Sequence, residues 1–388
     1  MPKINKSILI IGGSGILSAA VVDACIEQGF AVTMLNRGNN PEFTNANAEL
    51  IICDARNAED VNEKLKGRHF DVVVDFIVYN LEQLKLSLTL FAHHAEQYVF
   101  ISSAQAYNTS IQKMHVETDE TPQPLWSYSI NKDECEKFLK AYSAENKIHY
   151  TIVRPGVNYD DRRIPYGVVP PYGQHWTIIA RILAGKHIIT WNHGQNRLNL
   201  TRVEDFAQGM VGLLGNKKAY NETFNVVGDY IYTWKEVLYT LGELLHVEVK
   251  TIDLPIEQYA QEFEKEHAKQ ALRGGRALDL RCSNEKMKKI VPHFVTKYDL
   301  KSGLKKTIAW CEEHKTIDYK WDAECDRTLS RVASGYRGRY QAYSQTSFAL
   351  NLLNKCCYYI EYSKGKKLRV CYWKLIRKFI AKPLMKYT

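Results

Sequence analysis

Over its first 155 positions the chain alternates short β-type apolar runs with longer segments of mixed polarity. The runs fall at 8–11, 31–35, 50–53, 72–76, 98–101 and 150–153. Helix-length segments lie between most of them, and the first, 19–28, is closed by Gly29. Short apolar runs separated by helix-length segments fit strands buried on both faces and joined by helical crossovers. The pattern predicts a parallel sheet covered by helices on both sides. Beyond Arg154 the regularity fades: Pro165, Gly167, Pro170, Pro171 and Gly173 crowd one stretch, a helical pattern returns at 176–184, and a last β-type run stands at 224–227. The expectation is α/β: a Rossmann-type doubly wound domain over 1–155 with returns near 198–228, a smaller substrate lobe over 156–315, and a basic helical extension over 327–388.

Composition narrows the class. Nine cysteines, an odd number without a C-x-x-C pair, argue against a disulfide framework or a zinc site, so no metal is expected and reduced thiols point to the cytoplasm. No stretch reaches the roughly 18 uninterrupted apolar residues of a membrane span. The net charge of +9 is unevenly spread. Positions 327–388 hold 14 Lys/Arg and one acid, Glu361, a net +13; the remainder holds 38 basic and 42 acidic residues, a net −4.

Chemistry begins at the first turn. Gly12, Gly13, Ser14, Gly15 and Ile16 connect the first strand to the first helix, where backbone amides and the helix dipole favour a pyrophosphate. Ser18 stands where a third glycine would pack helix on strand, and a small packing cost is expected there. The second strand ends in Asn36-Arg37-Gly38, with no acid for a ribose 2′-hydroxyl and an Arg suited to a 2′-phosphate. This favours NADP as cofactor, with NAD as the alternative.

Tyr128 and Lys132 are four apart at the opening of a helical stretch, so the ammonium shares a face with the phenol and favours its ionised form. Upstream, 98–101 ends in Ser102-Ser103, at a strand end that points into the ligand crevice of an open sheet. A Ser–Tyr–Lys set reads as hydride-transfer chemistry: Tyr128 exchanges the hydroxyl proton, Ser103 holds the oxygen, and Lys132 tunes Tyr128 and holds the nicotinamide ribose.

Gly12 to Gly15, Ile101 to Tyr107, Tyr128-x-x-x-Lys132, Arg154-Pro155 with Tyr159, and Val203-Glu-Asp205 together resemble the extended short-chain dehydrogenases, the NAD-dependent epimerase/dehydratase family, over roughly residues 5 to 315. The resemblance implies a nucleotide-sugar substrate, Ser103 rather than Ser102 as the catalytic hydroxyl, Asp54 near the adenine, and Arg154 and Pro155 lining the nicotinamide. Substrate contacts are expected from Ser102, Asn158, Arg197 and Arg276. Family members that remove a carbon-bound proton or a carboxylate place acids directly after the catalytic hydroxyl. Here those positions are Ala104 and Gln105, which implies epimerisation or keto-sugar reduction. The family's phosphate-binding Arg would fall at Leu198, one position after Arg197.

His93-His94 reads as part of a surface helix rather than a metal pair. In 368–380, Leu368, Tyr372, Leu375, Ile376 and Phe379 gather on one helical face among Lys and Arg. The segment 366–387 is suited to an anionic membrane surface, which would hold the protein at the inner membrane face, or to a homodimer mate; nucleic acid ranks last. A chain cut before Arg327 is expected to stay folded. The rival to an enzyme is a non-catalytic dinucleotide-fold protein that binds RNA or another acidic partner through its basic tail.

Overall fold

In the computed structural model, which describes residues 6–171, 175–314 and 323–335, the chain opens as β1 (Ser7–Ile11), α1 (Ile16–Glu27), β2 (Ala31–Asn36), β3 (Glu49–Ile52), α2 (Ala58–Lys64), β4 (Phe70–Asp75), α3 (Leu81–Phe91), β5 (Ala95–Ile101), the short β6 (Met114–His115), α4 (Ser127–Asn146) and β7 (His149–Pro155). It continues through β8 (Val157–Tyr159), α5 (His175–Leu183), β9 (Ile188–Thr190), β10 (Arg197–Arg202), α6 (Val203–Val211), β11 (Glu222–Val226), β12 (Ile231–Thr233), α7 (Trp234–Leu245) and β13 (Thr251–Asp253). The short α8 (Ile256–Ala260) and α9 (Glu266–Gln270), β14 (Arg281–Cys282), α10 (Glu285–Ile290), α11 (Leu300–His314) and α12 (Ala323–Gly335) complete the described chain.

Seven strands form one sheet in the order β3-β2-β1-β4-β5-β7-β11, with every neighbouring pair parallel. This is the expected doubly wound α/β architecture. Side chains alternate faces along each strand, so both faces must be apolar. Ile8 and Ile10 pack with Val21, Val22 and Cys25 of α1 and with Phe206 and Met210 of α6. Leu9 and Ile11 face the other way, into a core with Leu84 and Leu88 of α3 and Leu139 of α4. Fully burying such a side chain contributes about 1.5–3 kcal/mol. β11 closes the edge from far along the chain, Phe224 pairing with Val153, where a return to the first domain was expected.

The second lobe has its own core. Its strands are short, β12-β10-β8 in one sheet and β13-β9 in another, packed with α5, α7, α11 and α12. Thr233 caps α7: its hydroxyl accepts from the Glu236 N–H at 3.1 Å, and Glu236 reaches back to the Thr233 N–H and hydroxyl.

α12 belongs to this lobe. Cys325, Leu329, Val332 and Ala333 are buried in its core, and Arg181 of α5, 1% exposed, donates to Asp326 Oδ1 at 2.6 Å and to Ser330 Oγ at 2.9 Å. Lys186 reaches the other Asp326 oxygen at 2.8 Å. The boundary drawn at Arg327 therefore passes through a packed helix, and a cut there would strip Leu329 and Val332 from the core. The basic stretch 366–387 lies outside the described residues.

His93 and His94 sit in a 3-10 turn after α3, not on a surface helix; their rings are 4.0 Å apart, and His94 is buried with Nδ1 2.7 Å from the Arg68 carbonyl. Among the described residues no cluster suits a metal ion, six cysteines are free and buried, and no helix is long and apolar enough to cross a membrane.

Candidate active site

The glycine-rich turn can hold a dinucleotide pyrophosphate. Gly12 has φ +81°, a left-handed conformation open to glycine, and a Cβ there would lie 2.4 Å from Ile77. A Cβ on Gly13 would come within 2.9 Å of Met34. The first turn of α1 carries no acidic residue, so its positive dipole end meets no competing anion of its own. Ser18, expected to cost packing, instead closes the loop: its hydroxyl accepts from the Gly15 N–H at 2.8 Å and donates to the Gly12 carbonyl at 2.6 Å. The Gly15 N–H is thereby committed to the turn.

At the end of β2, Asn36 Oδ1 accepts from the Gly38 N–H at 2.8 Å, while its buried Nδ2 has no partner. Arg37 is exposed directly beyond. Asp54, also exposed, accepts from the Arg56 N–H at 3.1 Å and so shapes the turn after β3. The Arg162 guanidinium lies 3.8 Å from the centre of the Phe43 ring, joining the loop after β2 to the turn after β8.

Ser103, Tyr128 and Lys132 come together at the C-terminal ends of β4 and β5. Ser103 is buried, and its hydroxyl accepts from the Gln105 N–H at 3.1 Å. Tyr128 stands in the first turn of α4. Burial pushes its phenol upward, a hydrogen bond with Ser103 pulls it back, and Tyr79 and Tyr166 nearby push it up again. Lys132 is 3% exposed; its Nζ donates to the carbonyls of Val78 at 2.6 Å and Ile101 at 2.8 Å and lies 5.8 Å from the centre of the Tyr128 ring. Burial lowers its pKa to about 8, against the opposing pull of Cys135, Asp75 and Glu136.

Several other expected site residues have partners within the fold. Successive extended residues point to opposite sides, and Ser102 turns away from Ser103 to donate to Glu136. Glu136 also holds Arg154, whose Nε donates to it at 2.8 Å in a buried ion pair. Ser102 and Arg154 thus share one buried carboxylate. Pro155 ends β7 opposite Val226. The Asn158 amide donates to the Gly156 carbonyl at 3.0 Å. Arg197 is exposed and paired with Asp279 at 3.0 Å.

Arg276 is buried within the second lobe, its guanidinium 5.2 Å from the centre of the Tyr166 ring. Tyr166 in turn accepts a hydrogen bond from Gln105 Nε2 at 2.7 Å. His175 belongs to the same group: burial, then Arg163 and Arg276, lower its pKa to about 3 and keep it neutral. Tyr79, an exposed residue, has its ring centre 5.2 Å from Lys132 Nζ. Tyr79 follows the C-terminal end of β4, a position that could have marked it in sequence. Tyr166 and Arg163 sit in irregular chain with no periodic signal, and His175 opens α5.

A parallel doubly wound sheet, an anion-ready first turn and a separate lobe over the strand ends define a dinucleotide-binding α/β protein. The sequence profile of the NAD dependent epimerase/dehydratase family matches residues 8–227, and the chain belongs to that family. It is 27% identical over 243 residues to the chloroplast stem-loop binding protein of 41 kDa b of Arabidopsis thaliana, covering 59% of this chain and 61% of that protein. It is 24% identical over 262 residues to a putative UDP-glucose 4-epimerase of Methanocaldococcus jannaschii, covering 60% and 85%. The crystal structure of UDP-glucose 4-epimerase from Thermotoga maritima with UDP-glucose superposes with a TM-score of 0.65 at 20% identity, covering 79% of this chain and 99% of that one.

Proposed function

We propose that this chain is a nicotinamide-dependent oxidoreductase that interconverts a carbinol and a ketone on a nucleotide-linked sugar, as an epimerase or a keto-reductase. The observation that carries the reading is the meeting of Ser103, Tyr128 and Lys132 beside the glycine turn. A bound nicotinamide dinucleotide supplies hydride acceptance and return. The turn from Gly12 to Ile16, Arg37, Asp54 and Lys132 would hold it. Ser103 steadies the substrate oxygen, Tyr128 takes its proton and gives it back, and Lys132 favours the phenolate while charged. Ala104 and Gln105 offer no base for a carbon-bound proton, which favours redox chemistry without elimination.

The finer choice of cofactor is NADP: Asn36 Nδ2 is a spare donor and Arg37 a cation where a 2′-phosphate would lie. The family name carries NAD, so both are tested. The basic extension is assigned to an anionic surface or a dimer mate. A second reading, RNA binding through that extension, draws on the +13 charge of 327–388 and on the stem-loop binding relative.

The test is to incubate the full chain with a panel of UDP- and dTDP-sugars and their 4-keto forms, with NADPH or NADH, following absorbance and product configuration. NADPH oxidation or isomerisation supports the enzyme. Neither, together with tight RNA binding at physiological salt, replaces it with the second reading.

A further inference from the structure

Gln105 sits one turn from Ser103 and is 5% exposed. Two of its polar groups are committed: its backbone N–H donates to Ser103 Oγ at 3.1 Å, and its Nε2 donates to the Tyr166 hydroxyl at 2.7 Å. Its amide oxygen is buried without a partner. Native folds rarely leave such an acceptor unmade, and one beside a reactive centre points to a ligand donor. Tyr166 fixes the amide from the substrate side; its ring is flanked by Arg276 at 5.2 Å and by the Trp234 ring at 6.2 Å. The amide plane is therefore held between the Ser103 turn and the substrate lobe.

Resting on the redox reading above, we propose that Gln105 is a specificity-determining residue: its amide oxygen accepts a hydrogen bond from a sugar hydroxyl neighbouring the carbon that changes oxidation state. An amide accepts as a carboxylate does but has no basic site at neutral pH. It can orient the sugar without drawing off a carbon-bound proton. Tyr166 is the positioning residue, since rotation of the amide would present the NH₂ instead of the oxygen.

The experiment measures the Kd of UDP-glucose and UDP-galactose for the full chain loaded with cofactor, by calorimetry, for wild type and for Gln105→Leu, Gln105→Glu and Tyr166→Phe, with Kd for the cofactor as control. Gln105→Leu is expected to weaken sugar-nucleotide binding by roughly tenfold, the size of one lost hydrogen bond, with cofactor binding unchanged. Gln105→Glu keeps an acceptor and should stay within about threefold of wild type, while Tyr166→Phe should fall between the two. If Gln105→Leu does not fold, the pair Gln105→Glu and Tyr166→Phe still decides. Wild-type sugar binding left unchanged by Gln105→Leu, or by Tyr166→Phe where the leucine variant does not fold, overturns the proposal alone. Wild-type protein that binds neither sugar nucleotide overturns it and counts against the UDP-sugar form of the functional reading.

Discussion

The two lobes achieve stability by different means. In the sheet lobe, stability is spread over a repeating pattern: each strand residue from Ile8 to Ile11 is fully buried, and successive side chains feed opposite cores. In the second lobe, strands of three residues such as β9 and β13 cannot repeat a pattern, and polar contacts between distant segments are added to its apolar core. Arg181 with Asp326, Arg202 with Asp161 and Glu204, and Trp191 with the Arg276 carbonyl are examples. A repetitive lobe is robust to the loss of one contact, whereas a lobe of singular contacts concentrates its risk at a few residues. The sheet lobe suits a cofactor of fixed shape.

The comparison can be broken most sharply at Tyr128. Tyr128→Phe removes only the proton-transferring hydroxyl and is expected to lower turnover about 10²–10⁴-fold, with cofactor affinity unchanged by calorimetry. Near-normal turnover would move the chemistry away from α4. Next comes Asp326→Ala, which strands Arg181 in the core and should cost about 3–5 kcal/mol in denaturant unfolding. If the lobes are separable, the KM for sugar nucleotide rises in this variant while the Kd for cofactor holds. A parallel loss of both would show that they stand or fall together.

Arg37→Ala should weaken NADPH roughly tenfold and leave NADH nearly unchanged, because only the 2′-phosphate meets the guanidinium. Equal losses would assign Arg37 to the loop. pH offers a milder probe. With the Lys132 pKa lowered from 10.5 to about 8, the ammonium is lost as pH rises through 8, and kcat/KM should fall on that side. Between about 8 and 10.5 the unfolded chain holds the extra proton, so this group's contribution to stability rises over the same window in which activity falls. Ser18→Ala is the smallest effect, about 1 kcal/mol from the loop hydrogen bonds, read as a lower melting temperature.

How far the sequence could be read follows the same division. The strands of the first 155 residues and the Ser103–Tyr128–Lys132 grouping were legible because apolar runs and strand ends have fixed geometric meanings. The resemblance set Arg154 along the nicotinamide; what it did not reveal is the pairing of that guanidinium with Glu136, eighteen residues earlier. Ser102 was hidden by the same carboxylate. Tyr166 lies in Pro- and Gly-rich chain, where no period exists to read, while His175 opens α5, one position before the helical pattern at 176–184. α12 was missed because the core that buries it and its partner Arg181, 145 positions earlier, are distant in the chain.

That separation has a consequence for how the protein is made. At the usual pace of about 5–20 residues per second, a ribosome needs roughly 7–30 s between adding Arg181 and adding Asp326. At the start of that interval α5 has emerged without the carboxylate that neutralises it, while β1 to β5 already have their strand neighbours and β7 still waits for β11. The nascent chain thus acquires its dinucleotide platform well before its second lobe can close. α6 and β11 are made within that interval and complete the sheet, whereas the α5 face stays uncovered until α12 arrives.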